Sequence, residues 1–218
     1  MEAIENPGRE RILQRIRSAL EKGEAHAAPG SDAEIFAPLQ DVLARFQSEC
    51  AANHTECIFT ADSTATAEAI SRLICGVPVP WREVFVQDTK ELRQAAAVWP
   101  ADHVYRWSSE GRPAEQTQVS VTLAEALVSQ TGSILFSSAC GGRAATVASE
   151  VHIVVAHVSQ LVPDLRTLLA RVGSDAEMLK HSMLCLTTGS SRTGDIEKIL
   201  VLGAHGPRRL VVVLQQDS

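Results

Sequence analysis

The chain has no paired cysteines, few aromatic residues, no dense basic run and no long uncharged apolar stretch. Each absence excludes something. The five cysteines, Cys50, Cys57, Cys75, Cys140 and Cys185, are scattered and odd in number, without a CxxC pair. Neither an iron–sulfur cluster nor a zinc knuckle is therefore expected. The seven histidines form no H-x-x-x-H or H-E-x-x-H pair, so no metal site is expected either. Buried, reduced thiols in a cytoplasmic protein fit the cysteine pattern better. Cys140, beside Gly141-Gly142-Arg143, is the one thiol in a site-like setting, and an unactivated thiol is mostly protonated at neutral pH. Aromatics make up 4% of the chain, which leaves no stacking platform for single-stranded nucleic acid. A net charge of -6 without clustered Lys and Arg disfavours non-specific DNA or RNA binding. Charged residues from Glu2 to Arg17 interrupt any signal-like apolar region. No run suits a bilayer span. The cytoplasm is the expected location.

What is present is ordinary for a globular core: 45% hydrophobic and 21% charged residues in 218. The length suggests one sizeable domain with a helical N-terminal appendage. Asn6-Pro7 reads as a helix N-cap and first position. Ile12, Leu13, Ile16 and Leu20 follow at helical spacing, and Gly23 ends the run. Small and breaker residues from Ala25 to Ser31 read as a linker. A second helix carries Ile35, Leu39, Val42, Leu43 and Phe46 on one face. We therefore expect an appendage over residues 1–50 and an α/β domain over 51–218.

In the larger part, short apolar runs alternate with helical patterns. Strands are expected at Cys57–Phe59, Val84–Val86, Val104–Tyr105, Ile134–Phe136, Val151–Val155, Leu184–Leu186 and Leu210–Leu214. Helices are expected after Asp62, from an Asp88–Glu91 cap, from a Thr122–Glu125 capping box through Ala126 and Leu127, after Asp164, and over Asp195–Leu202. Residues Ser108 to Gln118 read as a loop. This alternation predicts an α/β fold with a mostly parallel sheet and helices on both faces. Ligands then belong in the crevice at the carboxyl edge of the sheet.

The densest candidate site runs from Leu184 to Glu197 and on to Pro207. An apolar strand ends in a hydroxyl-rich loop, Thr187 to Thr193, which holds Arg192 and leads into the expected helix. Such a loop points backbone N–H groups and hydroxyls at one anion, aided by the helix's positive end. An ordinary polar turn with an incidental Arg fits the same residues. Thr131-Gly132-Ser133 is a small hydroxyl-flanked turn, and Gly141-Gly142-Arg143 a second anion candidate. All three loops are expected to meet at the sheet's carboxyl edge. His205, between Gly203 and Gly206-Pro207, is either a ligand or acid/base group or a cap on helix carbonyls. His152 reads as a core imidazole. Asp195 and Glu197 suit the first turn of a helix. The candidate anion-binding residues are therefore Thr131, Gly132, Ser133, Thr188, Gly189, Ser190, Ser191, Arg192, Thr193 and His205. The residues single out no catalytic group and no cofactor.

Five ordered motifs carry a family resemblance. T-G-S-I-L-F at 131–136, V-H-I-V-V at 151–155, Q-L-V-P-D-L at 160–165, T-G-S-S-R-T-G-D-I-E at 188–197 and L-G-A-H-G-P at 202–207 resemble the lactate-utilisation protein C family, also called LUD-domain proteins. Gln130 departs from the acidic residue that precedes T-G-T or T-G-S there, and Ser190 from a frequent proline. The resemblance implies a fold like ribose-5-phosphate isomerase, glucosamine-6-phosphate deaminase and the CoA transferases (the NagB/RpiA/CoA transferase-like class). It also implies a part in bacterial L-lactate oxidation to pyruvate, beside iron–sulfur partner proteins. The alternative is a free-standing enzyme that uses the same crevice for a phosphorylated or CoA-type substrate.

Overall fold

The computed structural model describes residues 7–22, 38–77, 82–111, 114, 117–196, 199–202 and 206–217; of residues 7, 22 and 192–202 it describes the backbone alone. The linker near 25–31, Asn6, Gly23, Ile35, Glu197 and His205 lie outside the described residues, as does part of the 108–118 loop. The chain divides into two compact units, Met1–Ala37 and Pro38–Ser218. The smaller contains α1 (Pro7–Lys22), whose Ile12, Ile16 and Leu20 are exposed. The second helix, expected in the appendage, instead lies in the larger unit. It is α2 (Val42–Ala52), with Asp41 Oδ1 accepting from Ala44 N at 2.9 Å as its cap. Phe46 and Cys50, one turn apart, are fully buried in the core of that unit, which is why the helix belongs there.

From there the chain runs β1 (Thr55–Thr60), α3 (Ser63–Cys75), β2 (Glu83–Val86), α4 (Lys90–Ala95), β3 (Val104–Trp107) and β4 (Val119–Leu123). It continues through β5 (Ala126–Val128), β6 (Ser133–Ser137), α5 (Arg143–Val147), β7 (Val151–His157), β8 (Leu161–Val162) and α6 (Leu165–Ser174). The last elements are β9 (Leu184–Thr188), β10 (Arg192–Ile196), β11 (Ile199–Leu202) and β12 (Arg209–Gln215). Six strands form a parallel sheet in the order β1-β12-β7-β4-β2-β3. Because side chains alternate, each strand feeds two cores. Val84, Ile153 and Val213 pack on one face against Ile70 and Ile74 of α3 and Leu92 of α4. Val154, Val212 and Leu214 face the other way, toward Phe46 of α2 and Ala145 of α5.

The second face also carries a four-stranded sheet, β8-β5-β6-β9, which delivers Leu127, Ile134 and Phe136 to the shared core. α6, capped by Asp164, covers part of its outer side through Leu168. Three expected helices differ. Thr122 and Glu125 cap nothing: Thr122 lies inside β4, and Ala126 and Leu127 are in β5, paired antiparallel with β6. The S/T-x-x-E spacing is coincidental, because alternating Val119-Ser-Val-Thr-Leu finds a strand partner in β7. The run Asp195–Leu202 is an antiparallel hairpin of β10 and β11, where β-branched Ile196, Ile199 and Val201 suit strands. At α4 the cap is Thr89, which accepts from Leu92 N at 3.2 Å. Asp88 is occupied instead by Arg93 and Ser109, which hold its carboxyl down at about 2.

Candidate functional site

The structure brings two of the three expected loops together. Thr131 Oγ1 and Ser133 Oγ lie 2.7 Å apart, and Ser133 Oγ lies 2.6 Å from Thr188 Oγ1 across the β6–β9 pair. This run of hydroxyls leads to Gly189, Ser190 and Ser191, which line a cavity of about 410 Å³ with Thr146, Val147 and Pro207. Gly189 has φ +75°, and a Cβ there would come within 2.5 Å of the Asn53 carbonyl oxygen. Only glycine permits that approach. Asn53 Nδ2 also donates to Thr131 O at 3.1 Å, and Ser191 N donates to Pro207 O at 3.0 Å. Backbone and side-chain ties thus hold the loop at 188–191 in place.

Those same ties locate the loop. Asn53 precedes β1, Pro207 precedes β12 and Val147 precedes β7. The loop therefore lies at the amino edge of the parallel sheet, not at the carboxyl edge. β9, which ends in the loop, belongs to the second sheet and runs antiparallel to β6, so the rule for parallel sheets does not govern where its end falls. Nor does a helix follow the loop among the described residues. Arg192 and Thr193 open β10, and the dipole assistance expected from a helix starting at Asp195 is absent there. Arg208 pairs with Glu150 at 3.1 Å. Arg209 grips Glu56 through two bonds of 2.6 and 2.8 Å, and this guanidinium holds the Glu56 carboxyl below its usual range.

The third loop goes elsewhere. Gly141 packs against Phe85 and Ser108 so closely that a Cβ would collide with the Phe85 ring. Arg143 is exposed at the start of α5. Cys140 is 2% exposed, and burial pushes its thiol up to about 11, so it stays protonated. His152 is fully buried between the two sheets. Its Nε2 lies 2.8 Å from Thr122 Oγ1, while Nδ1 has no hydrogen-bond partner among the described residues. Burial pushes its pKa down to about 3, so the ring is neutral. Among the described residues no three His, Cys, Asp or Glu side chains converge as for a metal ion. No described helix is long and apolar enough to cross a membrane.

The carboxyl edge holds residues that the motif reading passed over. Thr60 and Thr66 hydroxyls lie 2.7 Å apart, and Thr66 donates to Gln215 Oε1 at 2.9 Å. His157 Nε2 lies 3.2 Å from Glu91 Oε1, and Gln160 Oε1 accepts from His157 N at 2.7 Å. The available signal was the hydroxyl-rich Thr60-Ala-Asp-Ser-Thr-Ala-Thr66 at a strand-to-helix junction.

Comparison with known proteins yields three kinds of match. The sequence model of the LUD domain matches residues 43–215. A lactate utilization protein C of Geobacillus sp. (strain WCH70) is 26% identical over 191 residues, covering 81% of this chain and 79% of that protein. The lactate utilization protein C of Bacillus subtilis (strain 168) is 27% identical, with the same coverage. The uncharacterized protein YkgG of Escherichia coli (strain K12) is 29% identical, covering 75% of this chain and 74% of its own. Among solved structures, a DUF162 family protein from Deinococcus radiodurans superposes with a TM-score of 0.57 at 19% identity, over 80% of this chain and 96% of that one. At that identity the match supports the α/β fold alone.

Proposed function

The chain belongs to the LUD domain family, and from that membership we propose that it is a cytoplasmic component of a bacterial L-lactate utilisation system. Relatives named lactate utilization protein C support a role in lactate utilisation at the family level. In the finer reading, the system oxidises L-lactate to pyruvate, and the two electrons released pass to iron–sulfur partner proteins. This chain holds an anionic ligand at the amino-edge loop. The observation that carries the reading is the hydroxyl run Thr131–Ser133–Thr188, which leads into the cavity at Gly189–Ser191. Hydroxyls and backbone N–H groups at such a turn suit a carboxylate or phosphate. Arg192, next in sequence to this loop, is the candidate for the charge, and Thr193 and His205 complete the candidate set.

Arg192→Ala tests this. A charge-assisted bond contributes about 1.5–3 kcal/mol, so its loss weakens anion binding by about tenfold or more. The variant should keep its thermal midpoint and fail to restore growth on L-lactate in a strain lacking the native protein. A folded variant that binds and supports growth like the parent reduces the loop to a turn. Pull-down of iron–sulfur proteins by the intact chain supports the partnership. Turnover of a phosphorylated or CoA-type substrate by the isolated chain would replace it with a free-standing enzyme.

A further inference from the structure

The turn between α2 and β1 is two residues long and has no slack. Asn53 N donates to Glu49 O at 2.9 Å, and His54 N donates to Ala51 O at 3.2 Å. His54 takes φ +55°, the one left-handed backbone outside glycine among the described residues. The turn folds the end of α2 directly back onto β1. Cys50 of α2 and Cys57 of β1 meet there, in the core that the two sheets share. Cys50 is fully buried and Cys57 half-buried. Their side chains share a hydrogen bond, with the Cys50 thiol donating and the Cys57 sulfur accepting.

The asymmetry of the pair decides which sulfur reacts. The bond from Cys50 pushes the Cys57 thiol below its ordinary value, against the opposing effect of burial. The same bond and burial push the Cys50 thiol up. Cys57 is therefore the first to ionise and the one that solvent reaches, while Cys50 stands behind it with its proton. An accessible nucleophile with a resolving thiol in contact is the arrangement a dithiol switch needs. The residues around Cys50 also support the candidate loops. A Cβ on Gly132 would come within 3.0 Å of Glu49 and 3.2 Å of Cys50 N, and one on Gly189 within 2.5 Å of Asn53 O. Asn53 Nδ2 donates to Thr131 O at 3.1 Å. The end of α2 thus sets where both loops rest.

We propose that Cys50 and Cys57 form a reversible dithiol–disulfide switch, closed by a hydroperoxide, that controls the loop at 188–191. The Cys57 thiolate attacks one oxygen of hydrogen peroxide. The O–O bond breaks, hydroxide leaves and takes up the proton that Cys57 gave up on ionising, and Cys57 becomes a sulfenic acid. Cys50 then attacks the Cys57 sulfur. The S–O bond breaks, and the leaving hydroxide takes the Cys50 proton as a second water. Two thiols and one peroxide give one disulfide and two waters, and a thiol reductant reverses the change. Bond formation draws the sulfurs from hydrogen-bonding separation to about 2 Å. The end of α2 shifts against β1, and the loops that rest on it shift with it. Control of anion binding rests on the loop reading above; closure of the disulfide does not.

Hydrogen peroxide treatment of the whole chain, followed by alkylation and tryptic mapping, tests the pair. Cleavage after Arg45 and Arg72 leaves both thiols in one peptide, 46–72, which contains no Met. That peptide should become lighter by two hydrogens and lose both alkylatable thiols, and dithiothreitol should restore it. In Cys50→Ala no disulfide can close, and dimedone, which traps sulfenic acids, should add to Cys57 instead. In Cys57→Ala the buried Cys50 should stay unmodified, so one variant remains informative if the other fails to fold. Nitrogen-15 NMR reads the loop. The Gly132 and Gly189 amides should shift on oxidation and return on reduction. Binding of inorganic phosphate, read at Gly189–Ser191, should weaken by about tenfold or more in the oxidised chain. The proposal is overturned if 46–72 keeps both thiols while Cys75 oxidises, if the disulfide closes only in urea, or if the oxidised and reduced chains bind phosphate equally. If the reduced chain binds neither phosphate nor L-lactate, the loop reading fails, and the disulfide with its Gly132 and Gly189 shifts still decides whether α2 is switched.

Discussion

His152 makes the stability of this fold sensitive to mild acid. The ring is fully buried, its neighbours in the sheet register are Ser120 and Leu210, and Nδ1 has no partner among the described residues. Burial lowers its pKa from 6.5 to about 3. Below pH 6.5 the unfolded chain therefore takes up a proton that the folded chain refuses. The folded state is fully favoured above pH 6.5 and loses about 1.4 kcal/mol for each further pH unit, down to about pH 3. Between pH 7.5 and 5.0 the loss is about 2 kcal/mol, against a typical total of roughly 5–15. Carboxylates with lowered values, such as Glu56 and Asp164, begin to lose their contributions only near their ordinary values of 4.5 and 3.8, so pH 5 and above leaves them out, and the difference between parent and variant isolates this imidazole. Urea unfolding of the parent and of His152→Gln, which retains a partner for Thr122, measures this. The parent should weaken across that window by about 2 kcal/mol more than the variant. Equal slopes for the two, or a flat parent, would refute the assignment of acid sensitivity to this buried ring.

Two further outcomes follow from local geometry. Gly189→Ala should destabilise the fold by about 1–2 kcal/mol, because a left-handed φ and the Asn53 carbonyl both oppose a Cβ; an unchanged urea midpoint would show that the loop yields freely. Among the thiols, exposed Cys75 should react first with a colorimetric disulfide reagent, while buried Cys50 and Cys140 wait for unfolding. Rapid native labelling of Cys140 would contradict its burial.

Local signals served where one element decided its own conformation. Asp62 and Asp164 cap helices as their sequence contexts imply, and Ala69, Ile70, Leu73 and Ile74 are buried as their spacing implies. The failures share a cause. The Thr122–Glu125 and Asp195–Leu202 segments carry helix-like caps or charges, yet strand pairing decides them, with β7 and β6 in the first case and within a local hairpin in the second. The site reading divided the same way. The hydroxyls of Thr131, Ser133 and Thr188 were visible as residues and do meet. The edge on which they meet depends on β9 joining a second sheet, which no local pattern encodes. Gln215 was hidden for a similar reason: a glutamine closing an apolar strand acquires meaning only beside Thr66, far away in sequence.

The position of β12 sets the order in which the molecule can assemble. It lies between β1 and β7, so Thr55 reaches the rest of the sheet only through Leu210. During synthesis the first strand must wait, with an unsatisfied hydrogen-bonding edge, until residues 209–215 have been made. Pairings this distant in sequence slow folding and prolong the exposure of strand edges that invite aggregation. Nascent chains stalled before that strand are accordingly the forms most dependent on chaperones, and the central sheet closes only after translation has passed it.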